Sequence, residues 1–335
     1  MRPAAIIWIG MLLGMAGPAL AAEPDAAPPP PSAPAADQDL VIKTLPGIVV
    51  DTKAREVRLE SVVCLQSGLL ELLACSQGTR EHESIIAVKA KPSHVTFALA
   101  LLGLEPGKPG FLTEGGAFSP PAGEVLDIIA RFRIEKKSEG TTTTETVEVP
   151  AWKLLRPAGA KEGFDRPLEW VYVGRPEAEA LRAADHGGTV ICLSNFTEAV
   201  IDVPFESTSV NANLLFEAND RVVPPAGTPV ELVIRPTDRH VEPVKVEIEV
   251  VLRKDQPPFL DGQPTDLAAL KDAVSAMPAR IRTTVLRAEA DVPFGRVMAV
   301  HNILRDALMQ VHMVVLPAPE AQTGETGKPE EAPKP

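Results

Sequence analysis

The 335-residue chain has little positive charge, few cysteines, few aromatics and few long apolar runs. Lysine and arginine number 33 against 45 aspartates and glutamates, a formal charge of −12. Binding to nucleic acid, which needs basic patches for phosphate, is thereby disfavoured, as is docking on anionic lipid. Cysteines occur only at Cys64, Cys75 and Cys192. Iron–sulfur ligation takes four thiolates or a close substitute, so three exclude it. An odd number also leaves at least one thiol free, in an intermolecular bridge or as a ligand. After residue 22 no run reaches the ~18 apolar residues of a membrane-spanning helix. There is no glycine-rich phosphate loop, no Gly-x-Ser-x-Gly elbow and no His-Glu-x-x-His helix, so no catalytic motif is present. Aromatics make up 4%, with a single tyrosine, Tyr172.

Residues 1–22 read as a secretory signal: Arg2 at the start, a short apolar stretch from Ile6 to Met15, and Ala19-Leu20-Ala21 as a small-x-small cleavage pattern. An uncleaved anchor is the alternative. Residues 23–39, with Pro28 to Pro31 among alanines, are expected to be a disordered, semi-rigid spacer. Residues 318–335, charged and proline-rich, are expected to be a disordered tail. These features predict a protein exported to the periplasm or the extracellular space.

Between these ends the pattern predicts an α+β chain in two domains. Residues 40–236 are mostly β. Short alternating or β-branched runs lie at 40–43, 47–51, 56–64, 84–90, 168–173, 189–193 and 230–234, and 124–134 forms a long hairpin with 141–149. One helix interrupts them. Ser93 is its expected N-cap, and 94–102 is apolar nearly all round and so expected to be buried. A short helix is expected at 176–184. Residues 237–243 read as a polar linker. Residues 244–317 then follow the order β-β-α-β-α-β, with Thr265 and Pro293 opening the helices and both helices on one sheet face. Val297, Val300, Leu304 and Leu308 make the apolar stripe of the last helix.

Two resemblances accompany this reading. Cys75-x-x-Gly78-Thr79-x-Glu81-His82-Glu83-Ser84, Lys91-Pro92-Ser93-His94, Leu102-Gly103 with Pro106-Gly107, and Ile191-Cys192-x-Ser194-Asn195-Phe196 resemble the bacterial YdjY domain family over about 40–236. Phe259-Leu260-Asp261-Gly262-Gln263-Pro264, Ala288 to Asp291 and Val292 to Val297 resemble the periplasmic domain of the ExbD/TolR family over about 244–316. That family carries a transmembrane helix with an aspartate used in proton-driven work just before this domain. Here a YdjY-like domain stands in that place, and residues 1–22 hold no acidic residue. What carries over is an interaction role: a protein partner or cell-wall component, and a homodimer through the C-terminal domain.

The richest chemistry lies in Cys75 to Ser84. Cys64, Cys75 and Cys192 are the disulfide candidates. Cys64 and Cys75 flank Gly68, so a hairpin could join them; Cys75 and Cys192 both fall in the YdjY-like motifs. A disulfide is the common fate of paired cysteines in an oxidising compartment. The alternative is a zinc or other transition-metal site from Cys75, His82 and Cys192 with Glu83 or His94. A general base at His82 with Glu81 or Glu83 is disfavoured, because neighbours on a strand face opposite ways. Glu81, Asn195, Asn211 and Asn213 are candidate ligand contacts. The expectation is a non-enzymatic envelope protein without a cofactor, acting as a binding module; a periplasmic metal or redox protein built on Cys75, His82 and Cys192 is the rival.

Overall fold

The computed structural model describes residues 41–42, 45–138 and 141–317; the signal segment, the spacer and the tail expected at the ends lie outside the described residues. The first module is organised by an eight-stranded barrel. In chain order its elements are β1 (Ile48–Asp51), β2 (Glu56–Val63), β3 (Leu72–Ser76), β4 (Ser84–Val88), α1 (Pro92–Leu101), β5 (Gly123–Ser138), β6 (Thr141–Pro150), β7 (Trp170–Tyr172), α2 (Ala178–Gly187), β8 (Thr189–Cys192), β9 (Ile201–Asp202) and β10 (Pro229–Val241). The sheet runs β2-β10-β5-β7-β9-β8-β3-β4 and closes because β4 pairs back onto β2, with Val63 opposite Ile86. Closure removes the free edges that would otherwise invite pairing with another chain. β1 covers the other half of the β2 edge, and β6 extends the long arm of β5, as the hairpin pattern predicts.

Alternation along the strands divides the apolar residues between two faces. Leu126, Ile128, Ala130 and Phe132 of β5, Trp170 and Tyr172 of β7, and Val230, Leu232 and Ile234 of β10 join one large core with Val95, Ala98 and Leu99 of α1. The opposite face contributes a smaller cluster: Leu72, Cys75, Val125, Val171, Val173, Cys192 and Ala199.

Several local expectations change. Residues 237–241 are strand, not linker: β10 runs on past Pro236, shifts register, and pairs His240 with Glu124 and Val241 with Gly123. The polar side chains there face outward on a paired strand, which composition cannot distinguish from a linker. Ser93 lies inside α1 rather than capping it. Its N–H and hydroxyl both donate, at 2.8 Å, to the carboxylate of Asp185 on α2, which therefore does the capping from another helix. α1 is buried on one side only, with Phe97 56% exposed.

The second module comprises β11 (Glu247–Leu252), β12 (Phe259–Leu260), β13 (Gln263–Pro264), α3 (Leu267–Ser275), β14 (Thr283–Glu289), α4 (Phe294–Asp306) and β15 (Gln310–Leu316). Its sheet order is β13-β12-β11-β14-β15. Ile248, Val250 and Leu252 form one core with Leu270 and Val274 of α3 and Val300 and Leu304 of α4. Asp261 and Gly262, both at positive φ (49° and 79°), make the two-residue turn between β12 and β13. Asp266, not Thr265, caps α3 by accepting from Ala269 N–H at 2.8 Å. Leu308 falls beyond α4 at φ 60° and is exposed, so the stripe ends at Leu304.

The modules touch through the turn before Ala117. Glu247 Oε2 accepts from Thr113 Oγ1 at 2.6 Å and from Gly115 N–H at 2.8 Å. Arg287 pairs with Glu114 and, at 2.6 Å, with Glu249. A Cβ on Gly115 would collide with the Glu247 carboxylate and with Thr283, so only glycine permits this approach.

Candidate functional site

β3 and β4 are parallel neighbours, Leu72 opposite Ser84 and Cys75 opposite Ala87. A parallel connection normally takes a dozen or more residues, usually with a helix. Here residues 77–83 alone return the chain, through a single 3-10 turn at Glu81–Glu83. So short a crossover cannot bury an apolar face of its own, and polar contacts hold it down.

Arg80 is the hub. Its guanidinium pairs with Glu71 and with Glu83, and lies 4.5 Å from the centre of the Phe196 ring. Glu71 is buried, and burial followed by the Glu83 charge raises its pKa, with Arg80 opposing the shift. Glu81 Oε1 accepts from Gly78 N–H at 2.9 Å, and Glu71 N–H donates to Glu83 O at 3.1 Å. Gly188, at φ 68°, ends α2 and leaves room for the Thr79 side chain.

The crossover lies over Cys75, which has no exposed surface. Cys64, just past β2, is half-buried; its N–H donates to Ile85 O at 2.8 Å and its S–H to Ser84 O at 3.1 Å. The Cys75 thiol is lowered to about 7, first by the neighbouring Cys64 side chain and then, against the cost of burial, by the Ser84 and Thr79 side chains and the Arg80 backbone. The Cys75 side chain and then burial push the Cys64 thiol far up. One proton is thus easily lost from the pair and the second is held.

All three cysteines are free thiols. The bridge expected between Cys64 and Cys75 is not formed. The alternative pairing fails on register: Cys192 lies opposite Leu72, whereas Cys75 lies opposite Thr189. Cys192 is fully buried, and burial followed by the Asp202 charge pushes its thiol well above the usual range. Asp202 is itself buried. Its Oδ1 accepts from Val203 N–H at 2.8 Å and Asn195 Nδ2 at 3.2 Å, its Oδ2 has no partner, and burial drives its pKa well up.

The residues expected to ligate metal do not converge. His82 is 77% exposed, with its Nε2 3.7 Å from Glu83, while His94 sits on α1. Among the described residues no three His, Cys, Asp or Glu side chains form a group able to hold a metal ion. The face argument that separated His82 from Glu83 fails as well, because 81–83 is a turn and not a strand. Asn195 is structural: besides Asp202, its Oδ1 accepts from Ser207 N–H at 2.7 Å. Asn211 and Asn213 lie exposed in a 3-10 turn away from the thiols.

A family model for the YdjY domain matches residues 48–235, which include the whole barrel up to the middle of β10 and every residue of the crossover. The chain belongs to the YdjY domain family. The second module lies outside the matched range, and no family is shown for it. No curated protein matches this YdjY chain, and no solved structure matches it. Among the described residues no helix is long and apolar enough to cross a membrane. Arg80, Glu71 and Asp202 escaped the sequence reading. Arg80 and Glu71 are nine positions apart and share no helical or strand period, so only the tight crossover brings them together.

Proposed function

We propose that this YdjY protein is a non-enzymatic exported envelope protein that works as a binding module and assembles through the free edge of its second sheet. The observation supporting this reading is β15. Among the described residues it is the outermost strand and pairs only with β14, and its seven residues Gln310–Leu316 include no lysine, arginine, aspartate or glutamate. Free edges are commonly blunted by charge, proline or a bulge. Here Met313 and Val315 are instead 56% and 75% exposed, in a module that also exposes Phe294 and Leu308. The occupant is a second copy of the chain: an uncharged edge pairs with itself about a two-fold axis without like-charge repulsion, despite the −12 charge of each copy. The ExbD/TolR-like motifs fit the same use, and a protein or cell-wall component of the envelope is then the ligand of the dimer.

Light scattering on the full chain tests this. The wild type is expected at twice the 35.7 kDa chain mass, and Met313→Lys with Val315→Lys at the single mass. A wild type that stays monomeric at every concentration, or a double variant that stays dimeric, overturns the reading.

A further inference from the structure

The outer wall of the barrel carries an open cavity of about 600 Å³, a size typical of small-molecule sites. Its lining takes in no residue of the crossover or of the second module. Strand register builds its floor. Glu231 of β10 stands opposite Glu60 of β2 and opposite Arg131 of β5. Partners across a ladder share a face, as do residues two apart on one strand, so Arg58, Glu60, Glu231, Arg131 and Arg133 all lie on the outer face. Leu59, Leu232, Ala130 and Phe132 between them fill the core. Leu45, Val49 and Pro229, none of them fully buried, add apolar surface to the cavity.

The charges around this cavity are unevenly satisfied. Both lining carboxylates have cations of their own: Glu231 accepts from Arg131 Nη1 at 3.2 Å, and Glu60 pairs with Lys89. The guanidinia are less well served. Arg58, Arg131 and Arg235 surround the one carboxylate of Glu56. Arg235 holds it at 2.8 Å, while Arg58 and Arg131 converge on its Oε1 only to 3.5 and 4.0 Å, beyond hydrogen-bond length. Arg58 is half-buried, and its other carboxylate neighbour, Asp51, is 3.8 Å away. Arg131 spends Nε on Glu148 at 2.6 Å and Nη1 on Glu231, which leaves Nη2. Arg133 is exposed and pairs with no carboxylate among the described residues. A guanidinium has only donors, so these remaining N–H groups can be met by water or by an anion. We propose that the cavity binds a small amphipathic anion, a carboxylate or phosphate head on an apolar body. The head takes the free donors of Arg58, Arg131 and Arg133, whose planar forks suit two oxygens at once. The body lies against Leu45, Val49 and Pro229. The chain as a whole carries −12 and repels anions, so binding depends on these local donors.

Isothermal titration calorimetry on the full chain tests this, with decanoate as the probe, below the concentration at which it forms micelles. Two temperatures are used, so that a vanishing enthalpy at one does not hide binding. Decanoate is expected to bind saturably, one per chain. Arg133→Glu and Arg58→Gln are each expected to weaken it about tenfold or more. Decyltrimethylammonium, with the same chain and the opposite charge, is expected not to bind, and inorganic phosphate, with no apolar body, to bind about tenfold more weakly or worse. Circular dichroism checks that the variants are folded. Arg133 is exposed and unpaired, so Arg133→Glu keeps the fold and decides the matter if Arg58→Gln does not. No saturable heat with decanoate at either temperature overturns the proposal. So does wild-type affinity in either folded variant, or decyltrimethylammonium or phosphate binding as tightly as decanoate.

Discussion

Replacing Glu247 with alanine asks whether the two modules behave as one body. Glu247 is half-buried and accepts two hydrogen bonds from the barrel module, from Thr113 at 2.6 Å and Gly115 at 2.8 Å. A hydrogen bond to a charged group contributes about 1.5–3 kcal/mol net, and partial exposure puts these at the lower end. Losing both therefore costs about 3 kcal/mol, on the order of a hundredfold in the docking equilibrium. The Arg287 pair with Glu114 remains, but it is exposed and contributes less. Every tryptophan, and the one tyrosine, precedes residue 237. Intrinsic fluorescence thus follows the barrel module alone, while far-ultraviolet circular dichroism follows both. In urea the two probes are expected to give one midpoint for the wild type. In Glu247→Ala the dichroism is expected to fall first, as the second module unfolds alone. If the variant keeps a single midpoint equal to that of the wild type, these bonds do not couple the modules.

Three further outcomes follow from the barrel site. Asp202→Asn should flatten the pH dependence of stability. A carboxyl whose folded pKa is raised stabilises fully below its unfolded value near 3.9, and that contribution is lost as pH rises toward the raised folded value. Urea midpoints measured upward from pH 4 should therefore decline in the wild type more than in the variant, and parallel curves would refute the assignment. Cys64→Ala removes the side chain that lowers Cys75 most. The pH midpoint of thiolate ultraviolet absorbance, expected at about 7 for Cys75 in the wild type, should move upward, and an unmoved midpoint would show that Cys64 is not what lowers it. Arg80→Ala leaves the buried Glu71 without its partner and the crossover without its hub. A loss of about 3–5 kcal/mol is expected when one member of a buried pair is removed, discounted here to about 2–4 because Arg80 is 24% exposed; a melting temperature within a degree or so of the wild type would contradict the hub role.

Period and composition alone were enough for elements whose physics is local. The β5–β6 hairpin could be read from alternation interrupted by a charged turn, and Asp261-Gly262 from the positive φ that a two-residue turn requires. The Cys75–Ser84 stretch could be recognised as chemically rich. Other features depended on strands distant in sequence. Closure of the barrel by β4 on β2 brings the backbone of Cys64 against Ile85, and no window of sequence contains that pairing. Asp185 caps a helix 92 positions away, so the cap had to be misplaced at Ser93. Residues 237–241 of the linker expected at 237–243 became strand because β5 offered an unpaired edge there, which outweighs a polar composition. The same cause placed the metal candidates. His82 faces water and Cys192 lies on another rung than Cys75, because parallel pairing of β3 with β4 and the bulged register of β3 on β8 decide which side chains meet. Residue types set what chemistry this chain can perform, and strand register, which depends on the whole sheet, set which of those residues stand close enough to perform it.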